Sequence, residues 1–295
     1  MKQYTTKQAD IMMFFVAFIW GSGFVVTKSA LDSLSAIQIM SFRFITASVV
    51  SLVFFRKRIK KINRQYLRGG LVMGLFLATG FLFQTLGIQF TTAANNAFIT
   101  STGVVMVPFV YWITLRKRPK THNLIAAFTM LFGITLLTVD FDHLGKFNQG
   151  DFLTLLGAIF FACHIVATSH YVDDKDPVVL STVQIVVCAV FFAVAMFFDA
   201  DVRLVTPGSL WGAVYLGLFS TFLCFSLQTT AQKFTGATHA AIILSLEAVF
   251  GSVLAVLLLK EGYNIMMIVG FVIIFLSVLM AELGENWIGR GSVND

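Results

Sequence analysis

Apolar runs of roughly the length that spans a bilayer as a helix, about twenty residues, follow one another along almost the whole chain, cut by short polar or charged breaks. The breaks predict ten helical spans, near 9–29, 35–55, two within 69–115, 121–139, 152–172, 177–198, 208–232, 237–259 and 263–283. Residues 69–115 hold no Lys, Arg, Asp or Glu over 47 positions. That is too long for one crossing, and the polar stretch Thr91, Thr92, Ala93, Ala94, Asn95 and Asn96 divides it into a third and a fourth helix. Asp10 is placed to cap the first span and Asp140 ends the fifth. A polar loop through Asp142, Gly145 and Gly150 joins two halves. Pro177 and Pro207 precede the seventh and eighth spans, where proline suits a helix start.

Composition agrees: 57% of residues are hydrophobic, 12% are charged, and the mean hydropathy is +0.84. Soluble domains carry about 25% charged residues. The fold class expected is an all-α integral membrane protein. A transmembrane β-barrel needs alternating segments of about ten residues, and none are present. The net charge of +6 does not indicate nucleic acid. The basic residues fall in two tracts between apolar runs: Arg56, Lys57, Arg58, Lys60, Lys61, Arg64 and Arg68, then Arg116, Lys117, Arg118 and Lys120. Such tracts anchor cytoplasmic loops against anionic lipid. Cys163, Cys188 and Cys224 lie inside apolar runs with no metal-ligand spacing, so neither disulfides nor a metal site is expected. The weakly basic start (Lys2, Lys7) leads into a long apolar run without a small-residue cleavage site. It is read as a retained first helix.

Residues 1–147 carry 16 Lys and Arg against 4 Asp and Glu, a net of +12; residues 148–295 carry 5 against 11, a net of −6. Both halves nevertheless repeat the same order of five runs. Residues 15–27 align with 156–168 at an offset of 141; further on the offset is 143, where Asn96 meets His239 and Arg116 meets Leu259. An odd number of crossings per repeat makes the second copy enter upside down, the architecture of many secondary transporters. Placing the basic tracts inside leaves both termini in the cytoplasm. The acidic loop Asp173, Asp174, Lys175 and Asp176 is compatible, because acidic residues steer orientation weakly.

Four passages resemble the drug/metabolite transporter superfamily in its ten-helix, two-repeat EamA-type form. They are Trp20, Gly21, Ser22, Gly23 and Phe24 with Lys28; Arg43 and Phe44 followed by Ala47; Thr102 to Pro108 and Phe109, ending in Arg116 and Pro119; and Leu244, Ser245, Leu246, Glu247, Ala248 and Val249 running to Lys260 and Glu261. Two positions depart from the family pattern. Ala248 stands where proline is usual, which is expected to remove a helix irregularity beside Glu247. Lys117, Arg118 and Pro119 stand where many relatives carry Gly, Glu and Arg. The resemblance implies a carrier of small metabolites, often an exporter, in the cell (inner or plasma) membrane. It implies a cavity lined by the first, third, fourth, sixth, eighth and ninth helices, with the fifth and tenth peripheral.

Polar groups at bilayer depth are expensive and are therefore candidates for the site. Glu247 has twelve or more residues free of Lys, Arg, Asp and Glu on either side. Its carboxyl must take a proton, a partner or a wet cavity, so it is a candidate for substrate binding and proton coupling; a structural hydrogen bond is the alternative. His164 is a second such candidate. It lies opposite Gly23 in the repeat alignment, which predicts that the two helices meet there. His170 and His239 lie nearer span ends. Trp20 and Ser22 sit near the middle of the first span, where Trp is unusual and suits a cavity wall. Gln84, Asn96, Ser101, Tyr111 and Gln228 complete the candidate cavity set, with Thr100 and Thr229 nearby. Arg43 is expected to snorkel to the interface, with attraction of carboxylated solutes as the alternative. Gly70 and Gly74 match the small-xxx-small packing pattern.

The reading is a secondary transporter of small metabolites, amino acids or related solutes, working by alternating access. The partners expected are a small-molecule substrate, the lipid bilayer and protons as a coupling ion, with no cofactor and no nucleic acid. The absence of a Walker motif in the sequence argues against direct drive by ATP. An integral-membrane enzyme would need a polar cluster, for which His164, His170, Asp173 and Asp174 are the nearest set. A channel would need like polar residues at matching repeat positions, yet Glu247 meets Val104 and His164 meets Gly23.

Overall fold

The computed structural model describes residues 4–116, 118–138, 149–205, 207–260 and 265–291. Lys2, Lys117, Asp140, Asp142, Gly145 and Glu261 lie outside the described residues, as does the junction of the two halves at 147–148. Among the described residues there are helices and no strands. They are α1 (Thr6–Ala30), α2 (Ala36–Phe54), α3 (Arg64–Gly87), α4 (Ala93–Ser101), α5 (Gly103–Leu115), α6 (Thr121–Thr138), α7 (Gln149–Val172), α8 (Pro177–Met196), α9 (Pro207–Tyr215), α10 (Cys224–Ala231), α11 (Ala237–Leu244), α12 (Glu247–Leu259) and α13 (Ile265–Gly291). A π-helical stretch, Leu216–Leu223, joins α9 to α10.

Among the described residues, eight helices or continuous helical runs are long and apolar enough to cross a membrane, with α4–α5, α9–α10 and α11–α12 each counting once. The fifth and tenth expected spans correspond to α6 and α13, whose apolar stretches are shorter, Thr121–Leu136 and Ile268–Met280. These two pack on each other, with Gly133 set against Ile273 and Ile274. The outer surface is apolar, as lipid requires: Phe15, Val53, Phe54, Ile113, Phe132, Trp211 and Leu257 are all exposed. Polar side chains instead collect inside, including Gln38, Asn96, His164, Gln184 and Gln228. A bilayer core offers backbone groups no water, so helices that satisfy their own hydrogen bonds are the available solution.

Local chemistry sets most boundaries. Thr5 and Gln8 form a capping box that starts α1, and Ser35 and Gln38 form another at α2. Asp10 is therefore inside α1 rather than its cap, and its carboxylate reaches His239 Nε2 at 3.1 Å. The polar stretch around Thr91 does end α3, but Thr92 caps α4 through the Asn95 amide, so Asn95 and Asn96 are helical. Asp176 caps α8 with Pro177 in its first turn.

Two helices break near mid-span. Between α4 and α5, Thr102 Oγ1 donates to the Ile99 carbonyl at 2.6 Å. Between α11 and α12, Ser245 Oγ donates to the Ala241 carbonyl at 2.8 Å. Tight i to i+3 backbone bonds close both turns, Val105 N to Thr102 O and Ala248 N to Ser245 O, each 3.1 Å. The irregularity beside Glu247 thus exists without proline, contrary to the sequence expectation. A hydroxyl that bonds back one turn competes with the helix ladder and bends it. Beyond the breaks, α5 and α12 are both 13 residues long. They end at Arg116 and Lys260, the two described non-glycine residues with positive φ, each 56°.

Helices of the first half pack mainly on helices of the second: α3 on α7 and α8, α1 on α12, α2 on α8, and α4 on α12. Glycines set the closest approaches. A Cβ on Gly21 would stand 2.5 Å from Phe250 Cβ and 2.8 Å from the Gly251 amide nitrogen, which brings α1 against α12. Gly70 faces Val183, and Gly74 faces Val187 and the Gln184 carbonyl, the last at 2.9 Å from an added Cβ. The small-xxx-small pattern is thus the α3–α8 contact. Gly74→Val should force these helices apart and destabilise the bundle by about 1–3 kcal/mol. Thermal unfolding in detergent should register this as a lower midpoint, whereas Leu75→Val on the lipid side should leave it near wild type.

Candidate functional site

The two helix breaks meet at the centre of the bundle. Ser101, the last residue of α4, donates to the Ser245 carbonyl at 3.5 Å. Glu247 is the first residue of α12, where the helix dipole favours negative charge. It is half-buried and lines a cavity. Residues from α1, α2, α3, α4, α5, α7, the π-helical stretch, α10, α11 and α12 line that cavity. The lining extends to Thr27 and Ile88, near the ends of α1 and α3, so the cavity is offset toward that end of the bundle.

Seven of the nine cavity candidates are gathered here: Trp20, Gln84, Asn96, Ser101, His164, Gln228 and Glu247. Trp20 donates its indole N–H to the Ser220 carbonyl at 2.9 Å and lies 5.2 Å from the Phe225 ring centroid. Gln84 Nε2 donates to Thr100 at 2.9 Å, and Asn96 Nδ2 donates to Thr154 at 2.7 Å. Asn96 Oδ1 and Gln228 Oε1 are buried without a hydrogen-bond partner among the described residues. Ser22 and Tyr111 lie outside the lining. Ser22 Oγ bonds the Ile19 carbonyl and Tyr215 Oη, both at 2.6 Å, and Tyr111 packs into the apolar cluster of Val104, Val107 and Ala241.

His164 and Gly23 share the cavity but do not meet. Gly23 faces Ser220 and Leu216, while His164 Nε2 lies 2.8 Å from Gln184 Oε1 and 3.3 Å from Thr168 Oγ1. Helices that correspond in a repeat here stand around a shared space, with other helices between them. Gln184 continues the polar chain to Thr229 at 3.2 Å. It was missed in sequence, although an amide in the middle of the apolar 177–198 run satisfies the criterion that selected Gln84 and Gln228.

Arg43 corrects the snorkelling expectation. It is 4% exposed. Nε donates to Thr221 Oγ1, and Nη2 donates to the Ser220 carbonyl at 3.3 Å and to Ser220 Oγ at 3.1 Å. The guanidinium lies 4.2 Å from the Phe81 ring centroid. The π-helical stretch makes this possible: its looser ladder leaves the Ser220 carbonyl accepting from both Trp20 and Arg43. Lys28 donates to the Ile88 and Thr91 carbonyls at 2.8 and 2.7 Å and so covers the end of α3. His164, His170, Asp173 and Asp174 form no cluster, because His164 faces the cavity whereas His170 and both aspartates are exposed at the far end of α7.

Comparison with known proteins agrees with this architecture. Residues 7–139 and 148–283 each match the EamA-like transporter family. A protein named an uncharacterized transporter from Archaeoglobus fulgidus is 32% identical over 278 residues, covering 93% of this chain and 86% of that one. A probable amino-acid metabolite efflux pump from Escherichia coli is 22% identical, covering 96% of this chain and 97% of that one. A crystal structure with 14% sequence identity superposes with a TM-score of 0.78 over 96% of this chain and 99% of that chain, a likeness of fold alone.

The His164–Gln184 contact is a buried polar pair, so removing one partner strands the other. Gln184→Ala should destabilise by about 1–3 kcal/mol. The double variant with His164→Leu should lose less than the sum of the two single losses. Thermal unfolding of the four proteins in one detergent checks this; additive losses would mean that the pair is not coupled.

Proposed function

The chain belongs to the EamA-like transporter family, and on that footing we propose that it exports small metabolites, amino acids or related solutes among them, by alternating access. In this reading ten helices form two five-helix repeats of inverted topology, at 1–147 and 148–295, with both termini in the cytoplasm of a cell whose plasma membrane holds the protein. Trp20, Gln84, Asn96, Ser101, His164, Gln228 and Glu247 contact the solute, and Glu247 and His164 are the groups through which protons couple.

The observation that carries this reading is a mid-bundle cavity built where two broken helices cross. Broken helices at the interface of two repeats are where secondary transporters hold solute. The end of the bundle away from the cavity is tied shut across the halves. Asp10 meets His239 there at 3.1 Å, and Tyr66 Oη accepts from the Asp176 amide at 3.0 Å. These contacts break when the cavity opens to that side, and the far ties, Arg203 to the Leu31 carbonyl and Gln38 to the Arg203 carbonyl, hold the other.

Growth of cells overproducing the protein, challenged with toxic amino-acid and metabolite analogues, tests the export reading. Wild type should protect against one chemical group, and equally expressed Glu247→Gln should return growth to that of cells without the transporter. Protection by both would keep the export reading and leave Glu247 a structural role. Sensitisation by the wild type would reverse the direction.

A further inference from the structure

Arg43 is a permanent cation enclosed by the bundle. Burying a charge is expensive unless it is paired, yet among the described residues no carboxylate forms an ion pair with it. A guanidinium has five N–H donors. Its hydrogen bonds with Thr221 and Ser220 use Nε and Nη2. Nη1 makes none among the described residues, and Arg43 lines the cavity. The bonds to the π-helical stretch and the Phe81 face hold the planar group in place, leaving that edge as a pre-oriented donor in an otherwise largely apolar space that includes Trp20, Phe24, Leu77, Phe161 and Phe225.

We propose that Arg43 is the specificity-determining residue that reads a carboxylate on the transported solute through its Nη1 edge. Helix tethering alone explains Nε and Nη2. It does not explain a buried cation that lines the cavity without a counter-ion and whose Nη1 has no protein acceptor among the described residues. A carboxylate supplies both missing elements, the negative charge and the acceptors, while a neutral amide of the same shape supplies only weaker acceptors. Glu247, which shares the lining, is a carboxyl and offers an anion no opposite charge. The proposal rests on the transporter reading and adds to it the group that selects.

Counterflow in sealed lipid vesicles tests it, because it reads facilitated movement whatever the direction or drive. The probes are L-phenylalanine and L-leucine against L-phenylalaninamide and L-leucinamide, with wild type, Arg43→Gln and Arg43→Lys. Wild type should prefer the carboxylates by about tenfold or more, as expected for a charge-assisted hydrogen bond. Arg43→Gln should bring the two forms to within about threefold by the same reasoning. Arg43→Lys, which keeps the charge and loses the fork, should fall between and decides the matter if the Gln variant does not fold. Equal movement of acid and amide by wild type, or unchanged preference in Arg43→Gln, overturns the role of Arg43 and leaves the transporter standing. So does movement of neutral or cationic solutes from a wider panel when none of the four probes moves. If no solute in that panel moves, the transporter reading falls with it.

Discussion

A lipid interior supplies no hydrogen bonds, so every break in a helix and every polar side chain at depth must be answered by protein or by an enclosed wet space. The crossing of the two interrupted helices is where that constraint is met most densely. Thr102 and Ser245 turn their hydroxyls onto carbonyls one turn back, and Ser101 ties one break to the other. Glu247 then sits at the start of a helix, two residues beyond Ser245, and lines the cavity. Without the crossing, its carboxyl would be an isolated acid inside hydrocarbon.

The remainder of the bundle follows from holding that crossing in place. Gly21 lets α1 lie against α12 close to Glu247, and Gly70 and Gly74 let α3 lie against α8. The π-helical stretch presents the Ser220 carbonyl to Trp20 and Arg43 at once. Polar chains such as His164–Gln184–Thr229 run between helices from the cavity wall. Small residues bring backbones together and polar residues fix their register, which is how helices associate when lipid is as apolar as their side chains.

A carrier must also be able to leave the conformation it occupies. Contacts between the halves at the two ends of this bundle are few, polar and partly exposed, such as Asp10 with His239 and Arg203 with the Leu31 carbonyl. The packed contact of Gly21 with Phe250 lies nearer mid-depth.

The sequence by itself determined the class, the position of nearly every helix and most of the cavity candidates. Apolar run length and the high cost of polar groups at depth act locally, so they can be read one residue at a time. Glu247, His164, Gln84 and Gln228 stood out for that reason, and Gln184 passes the same test. Which groups face one another was decided only by tertiary structure. Gly23 and His164 align in the repeat yet meet different neighbours. The helix broke beside Ala248 without its proline, because a serine hydroxyl and a tight turn do the same work. Arg43 turned inward because residues 177 and 178 positions further along, Ser220 and Thr221, offer it acceptors. The direction of a long side chain depends on partners that only packing brings within reach.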